Sequence, residues 1–139
     1  MQKNVWLSIM ILFSICVYLS PVAADSHDGS SSALKVEKAV VCKGVDQRVP
    51  LGIGNVFASD AEKIYCFTKI TGATQDTMVT HKWYLNGELK SSVDLPIESS
   101  SWRTWSFKQI GPTDVGDGMV EVVSAQGAVL TTIIFFIQE

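Results

Sequence analysis

Carboxylates are scattered through the chain with no pair singled out by pattern, and among imidazoles His81 stands nearly alone, since the second histidine, His27, falls in a short polar stretch near the N-terminus. A lone imidazole becomes a general base only beside a poised hydroxyl or thiol and an orienting acid, and a zinc ligand only among other His and Cys residues. Ser99, Ser100 and Ser101 lie in a serine-rich bend without the strand-to-helix elbow of a serine nucleophile. His81 is therefore expected to be a buried, hydrogen-bonded residue, with a polar group at the base of a pocket as the functional alternative. The aromatic residues offer a different chemistry. Trp83, Trp102 and Trp105 occur with Arg103 within one central stretch, and exposed indoles beside a guanidinium stack on sugar rings or anchor protein partners. In WRTWSFKQ, alternation puts Trp102, Thr104, Ser106 and Lys108 on one face and Arg103, Trp105, Phe107 and Gln109 on the other. Trp83, Trp105 and Phe107 are expected in the core and Trp102 at the surface. The candidate ligand-binding residues are then Trp102, Arg103 and His81, with no catalytic residue, metal or cofactor assigned. Asp114 and Asp117 in PTDVGDG lack the dense alternating acids and closing glutamate of a calcium loop, and no glycine-rich phosphate loop occurs.

The elements that must position these residues read as strands. Val79, His81, Trp83 and Leu85 alternate with Thr80, Lys82 and Tyr84, and Asn86-Gly87 then turns the chain, as a type I′ hairpin requires. Further strands are predicted from about Leu34 to Cys42, from Ile64 to Ile70, from Trp102 to Gln109, from Met119 to Ser124 and from Ala128 to Ile137. The hairpin contributes Met78 to Leu85 and Glu88 to Leu95. Residues 45–61, punctuated by Pro50, Gly52 and Gly54, read as a loop with a short edge strand around Val49 to Val56. The final AVLTTIIFFI predicts a central strand covered on both faces. About seven short strands without a helical period point to an all-β, antiparallel β-sandwich (Ig-like), with a small β-barrel as the alternative.

Residues 1–24 carry the layout of a secretory signal peptide: an early Lys3, an apolar run from Val5 to Leu19, and Pro21-Val22-Ala23-Ala24 before Asp25. An uncleaved anchor is the competing reading, but the run is shorter than the ~20 residues a spanning helix needs. Cys16 lies inside the apolar run, so no lipid attachment point is implied. Residues 25–33 read as a flexible spacer and 34–139 as a single domain. Cleavage would leave Cys42 and Cys66, whose even number in an oxidising compartment predicts a disulfide closing a loop of about 25 residues, worth on the order of 3 kcal/mol. Two separately buried thiols, or a redox or metal pair, are the alternatives. The 139-residue chain has 11 Lys and Arg against 14 Asp and Glu, and without Lys3 the mature chain carries net −4. With no run of Lys and Arg, neither nucleic acid nor, after cleavage, a membrane is expected as partner.

The run from Ala39 to Cys42 through Ile64-Tyr65-Cys66-Phe67-Thr68, Thr80-His81-Lys82-Trp83-Tyr84, Asn86-Gly87 and Trp102 to Lys108 resembles the bacterial family called domain of unknown function 2914 (DUF2914). The likeness rests on THxWYxNG followed by WRTWSxK and extends from about Lys35 to Gln138. It implies a periplasmic or secreted envelope domain, alone behind a leader or appended to other modules, and assigns no activity. The expectation is a non-catalytic exported envelope domain that binds a protein or glycan. An accessory docking domain of a larger envelope assembly is the second reading, and a small hydrolase using His81 is the third.

Overall fold

The computed structural model describes residues 33–139. The leader and nearly all of the spacer, with Trp6, Cys16 and His27, lie outside the described residues. The described chain runs β1 (Lys35–Cys42), β2 (Gly44–Asp46), β3 (Val49–Leu51), β4 (Val56–Ala58), β5 (Lys63–Thr71), β6 (Thr77–Leu85), β7 (Glu88–Ile97), β8 (Ser101–Gln109), β9 (Gly116–Ser124) and β10 (Val129–Gln138). The expected strands appear as β1 and β5 to β10. The segment read as a loop with one edge strand holds three short strands instead, because β2 and β3 pair with each other and β4 finds a partner in the distant β10.

Two sheets face each other. One has the order β1-β5-β8 and the other β4-β10-β9-β6-β7, while β2 and β3 form a separate two-stranded ribbon. All pairings are antiparallel except that of β4 with β10. Neither sheet closes on itself, so the molecule is a β-sandwich and not a barrel. The hairpin between β6 and β7 turns at Asn86 and Gly87, with φ of 50° and 79°, the left-handed pair that a type I′ turn needs.

Between the sheets the alternate residues of β6, Val79, His81, Trp83 and Leu85, are all buried. They meet two apolar clusters. Val41, Ile64, Cys66, Trp83, Val120 and Phe135 belong to the first, and Ile70, Val79, Ile97 and Val122 to the second. Phe135 sets its ring edge-on to both Trp83 and Phe57, with centroids 6.0 and 6.3 Å apart. That ring lies across Gly118, its partner in register on β9. The expectation for β10 needs correction. It does lie inside its sheet, between β4 and β9, but no layer of the described residues covers its outward face, and Ile134 and Phe136 are 62% and 41% exposed.

A Cβ at Gly118 would collide with the Phe135 ring. Gly118→Ala should therefore destabilise the fold by about 1–3 kcal/mol, the usual range for overpacking. Urea denaturation checks this, and an unchanged midpoint would mean that the ring is free to move aside.

Candidate functional site

His81 is fully buried and bridges the two sheets. Its Nδ1 lies 2.8 Å from Ser106 Oγ and its Nε2 3.3 Å from Thr68 Oγ1, both on the opposite sheet. Trp83 Nε1–H also donates to Ser106 Oγ at 3.0 Å, and the Thr68 hydroxyl donates to the Thr104 carbonyl at 3.2 Å. One proton arrangement satisfies every group. Thr68 spends its hydrogen on Thr104, so it accepts from His81 Nε2–H. Nδ1 is then an acceptor and takes the Ser106 hydrogen, leaving Ser106 Oγ free to accept from Trp83. Among the described residues no buried side-chain nitrogen or oxygen lacks a partner. Burial holds the His81 pKa down, from the ordinary 6.5 to about 4, so the imidazole is neutral at physiological pH.

The Ser106–His81 distance is that of a nucleophile and its base. Yet the imidazole is fully buried and Ser106 only 5% exposed, and Nε2 faces a threonine where a triad would have a carboxylate. As it stands, the pair makes a structural bond between sheets. Ser106 carries no local signal of this role, because it meets His81, 25 residues away in the chain, only where the two sheets pack.

The same bonds decide which face of β8 turns inward. Thr104 pairs with Thr68 and Ser106 with Cys66, and both point to the interior. Parity then sends Arg103, Trp105 and Phe107 to the outside, where Trp105 is 36% and Phe107 48% exposed. The assignment of Trp105 and Phe107 to the core is thus overturned. Trp102, expected at the surface, is half-buried against the cluster of Ile70, Val79 and Ile97. Trp83 is in the core, and Arg103 is exposed.

The outward face of β1, β5 and β8 is built in rows across the strands. Val40, Phe67 and Trp105 form one row, and Cys42, Tyr65 and Phe107 the next. Trp105 stacks on Phe67 with planes 15° apart and centroids 6.4 Å apart, and Tyr65 meets Phe107 at 5.7 Å. Lys63 Nζ stands 4.9 Å from the Phe107 ring centre, a cation over an aromatic face. The β2–β3 ribbon packs on this same face, β2 against β5 and β3 against β1, and Phe67 and Cys42 are buried although they point away from the sandwich interior.

On the other side of the Phe67 row, Lys38, Lys69 and Arg103 stand directly opposite one another on the three strands. Like charges in such positions cost roughly 0.2–1 kcal/mol a pair. Glu37 relieves only Lys69, at 2.8 Å and partly exposed, where an ion pair contributes about 0–1 kcal/mol. The ribbon tip is also unfavourable. Gln47 and Arg48 adopt φ of 48° and 62°, and left-handed backbone costs a residue with a Cβ about 1–2 kcal/mol. Sequence reading found no run of basic residues and inferred no basic patch. The patch exists because strand register assembles residues that are far apart in the chain.

Cys42 and Cys66 are both free and buried, so the expected disulfide is not formed. Register explains why. Cys66 stands opposite Val41, while Cys42 stands opposite Tyr65, so alternation turns the two thiols to opposite sides of the sheet. Cys42 donates to the Gly44 carbonyl at 3.2 Å, Cys66 belongs to the inter-sheet core, and burial raises both thiol pKa values. Asp114 accepts from the Gly111 N–H at 2.9 Å and lies 3.9 Å from Lys108.

The comparisons with known proteins bear on part of this site. Residues 76–137 match the family model described as protein of unknown function (DUF2914). Over that stretch the chain is similar to the DUF2914 family. The match runs from the threshold of β6 into the end of β10, narrower than the likeness drawn from about Lys35, and it contains His81, Trp83, Arg103, Trp105 and Ser106 but not β1, the ribbon or β5. No curated protein matches the chain.

The buried imidazole gives the fold a pH signature. Between pH 6.5 and about 4 the unfolded chain binds a proton that the folded His81 refuses. Its contribution is therefore fully present above the unfolded pKa and is lost as pH falls, by on the order of 3 kcal/mol. Urea unfolding at several pH values across this window should show a shallower loss for His81→Gln than for the wild type. Equal slopes would assign the titration to another group.

Proposed function

We propose that this is a non-catalytic exported binding domain that holds a glycan on the outward face of β1, β5 and β8, with a sugar ring stacked on Trp105. The observation that carries this reading is the pair of exposed rings, Trp105 and Phe107, on the part of this face that the ribbon leaves open. Phe67 lies nearly parallel to Trp105, and Tyr65 packs on Phe107. A flat aromatic fixed by its neighbours loses little conformational freedom when a ligand arrives, and so suits stacking. Export, to the periplasm or beyond, rests on the leader pattern of residues 1–24. The non-catalytic part rests on the Ser106–His81 contact being buried and committed to joining the sheets.

One feature favours a second reading, docking within an envelope assembly. β8 is an edge strand whose nine residues are paired with β5 on one side, and an added strand from a protein partner would find its other edge.

Trp105 is the tryptophan of the described residues that faces solvent most, and its acrylamide quenching reports on the face. Peptidoglycan fragments or envelope oligosaccharides should shield it, and Trp105→Ala should weaken their binding roughly tenfold, ~1.4 kcal/mol, while Trp102→Phe should not. Saccharide binding indifferent to Trp105→Ala would contradict the stacking platform. A peptide that binds regardless of Trp105 would favour the β8 edge.

A further inference from the structure

We infer that the glycan is acidic, its anionic group seated over Lys38, Lys69 and Arg103 while a neighbouring ring stacks on Trp105. This rests on the stacking platform proposed above and names the class of its ligand. A cleft of about 350 Å³ opens between the ribbon tip and the cation row. Lys38, Lys69 and Arg103 line it with Phe67, and Arg48 and Val49 close it from the ribbon. Glu37, already bound to Lys69, is the one carboxylate on its wall.

Charge makes the cleft exceptional in this molecule. Residues 33–139 hold ten Lys and Arg against twelve Asp and Glu, a net acidic balance. Yet Lys35, Lys38, Lys63, Lys69 and Arg103 share the outward face of one sheet by register, and Arg48 reaches over it from the ribbon. Two independent features that oppose folding converge here: the row of like charges and the left-handed backbone that carries Arg48. Local conflicts of this kind concentrate at functional sites. Arg48 also lies 5.9 Å from the Trp102 ring centre.

The ligand's form follows from the rows. Successive outward rows lie two residues apart along the strands, about 7 Å. Cations in one row and a stacking aromatic in the next match a saccharide that offers an acid group beside a ring face. Guanidinium and ammonium groups together favour carboxylate or phosphate oxygens.

Calorimetric titration of the protein with oligogalacturonate and with its fully methyl-esterified form separates charge from ring shape. The acidic form should bind at least ~10-fold tighter, with the gap narrowing at high salt. Arg103→Gln and Arg48→Gly should each remove most of that preference, and Arg48→Gly should at the same time raise the melting temperature by relieving the turn. Equal affinity for both forms would overturn an acidic ligand and leave the Trp105 platform standing, provided that Trp105→Ala still weakens both. Failure of the folded protein to bind either form would also overturn it. So would equally tight binding of single-stranded nucleic acid or anionic vesicles independent of Trp105, which would make the face a general polyanion surface.

Discussion

The buried hydrogen-bond chain through His81 is the constraint on which the rest of the structure depends. A sandwich core is held mainly by non-directional burial, which tolerates small slips of one sheet over the other. The run from Trp83 through Ser106, His81 and Thr68 to the Thr104 carbonyl is directional and crosses between the sheets. A slip of β8 by one residue would turn Ser106 and Thr104 out, bury Arg103, and leave an imidazole and an indole N–H unsatisfied in the interior. Each orphaned group costs about 1–3 kcal/mol. The polar band therefore specifies register where apolar packing alone would not.

The outer surface inherits its chemistry from that choice. With Ser106 and Thr104 inward, Arg103, Trp105 and Phe107 have no alternative to the outward face. There they align with Lys69, Phe67 and Tyr65 of β5, and with Lys38, Val40 and Cys42 of β1. A structural network in the core thus sets out an aromatic and cationic face on the opposite side of the same sheet. The family match includes both ends of this relation on β6 and β8, whereas the cations of β1, β5 and the ribbon lie outside the matched residues.

Most of the strand plan was legible in the sequence, because period-two alternation and the Asn86-Gly87 turn are local signals. The parity of β8 was legible too, but not its direction. Apolar counting sends Trp105 and Phe107 inward, and only the needs of a buried His81 and Trp83, satisfied by residues on two other strands, reverse it. The separation of Cys42 from Cys66 was hidden for the same reason, since opposite faces follow from pairing Val41 with Cys66. The basic row was invisible because Lys38, Lys69 and Arg103 meet only through non-local pairing. The apolar end of β10 misled in another way. Its outward Ile134 and Phe136, beside Val56, stay exposed on the far sheet and form a second apolar surface.

The most direct measurement is an amide chemical-shift titration of the labelled protein with an acidic oligosaccharide. Shifts confined to Lys38 to Val40, Lys63 to Lys69, Arg103 to Phe107 and the ribbon tip at Arg48 are the expected result. Shifts centred instead on Val56, Ile134 and Phe136 would place the ligand on the opposite sheet and contradict the role given to the β1-β5-β8 face.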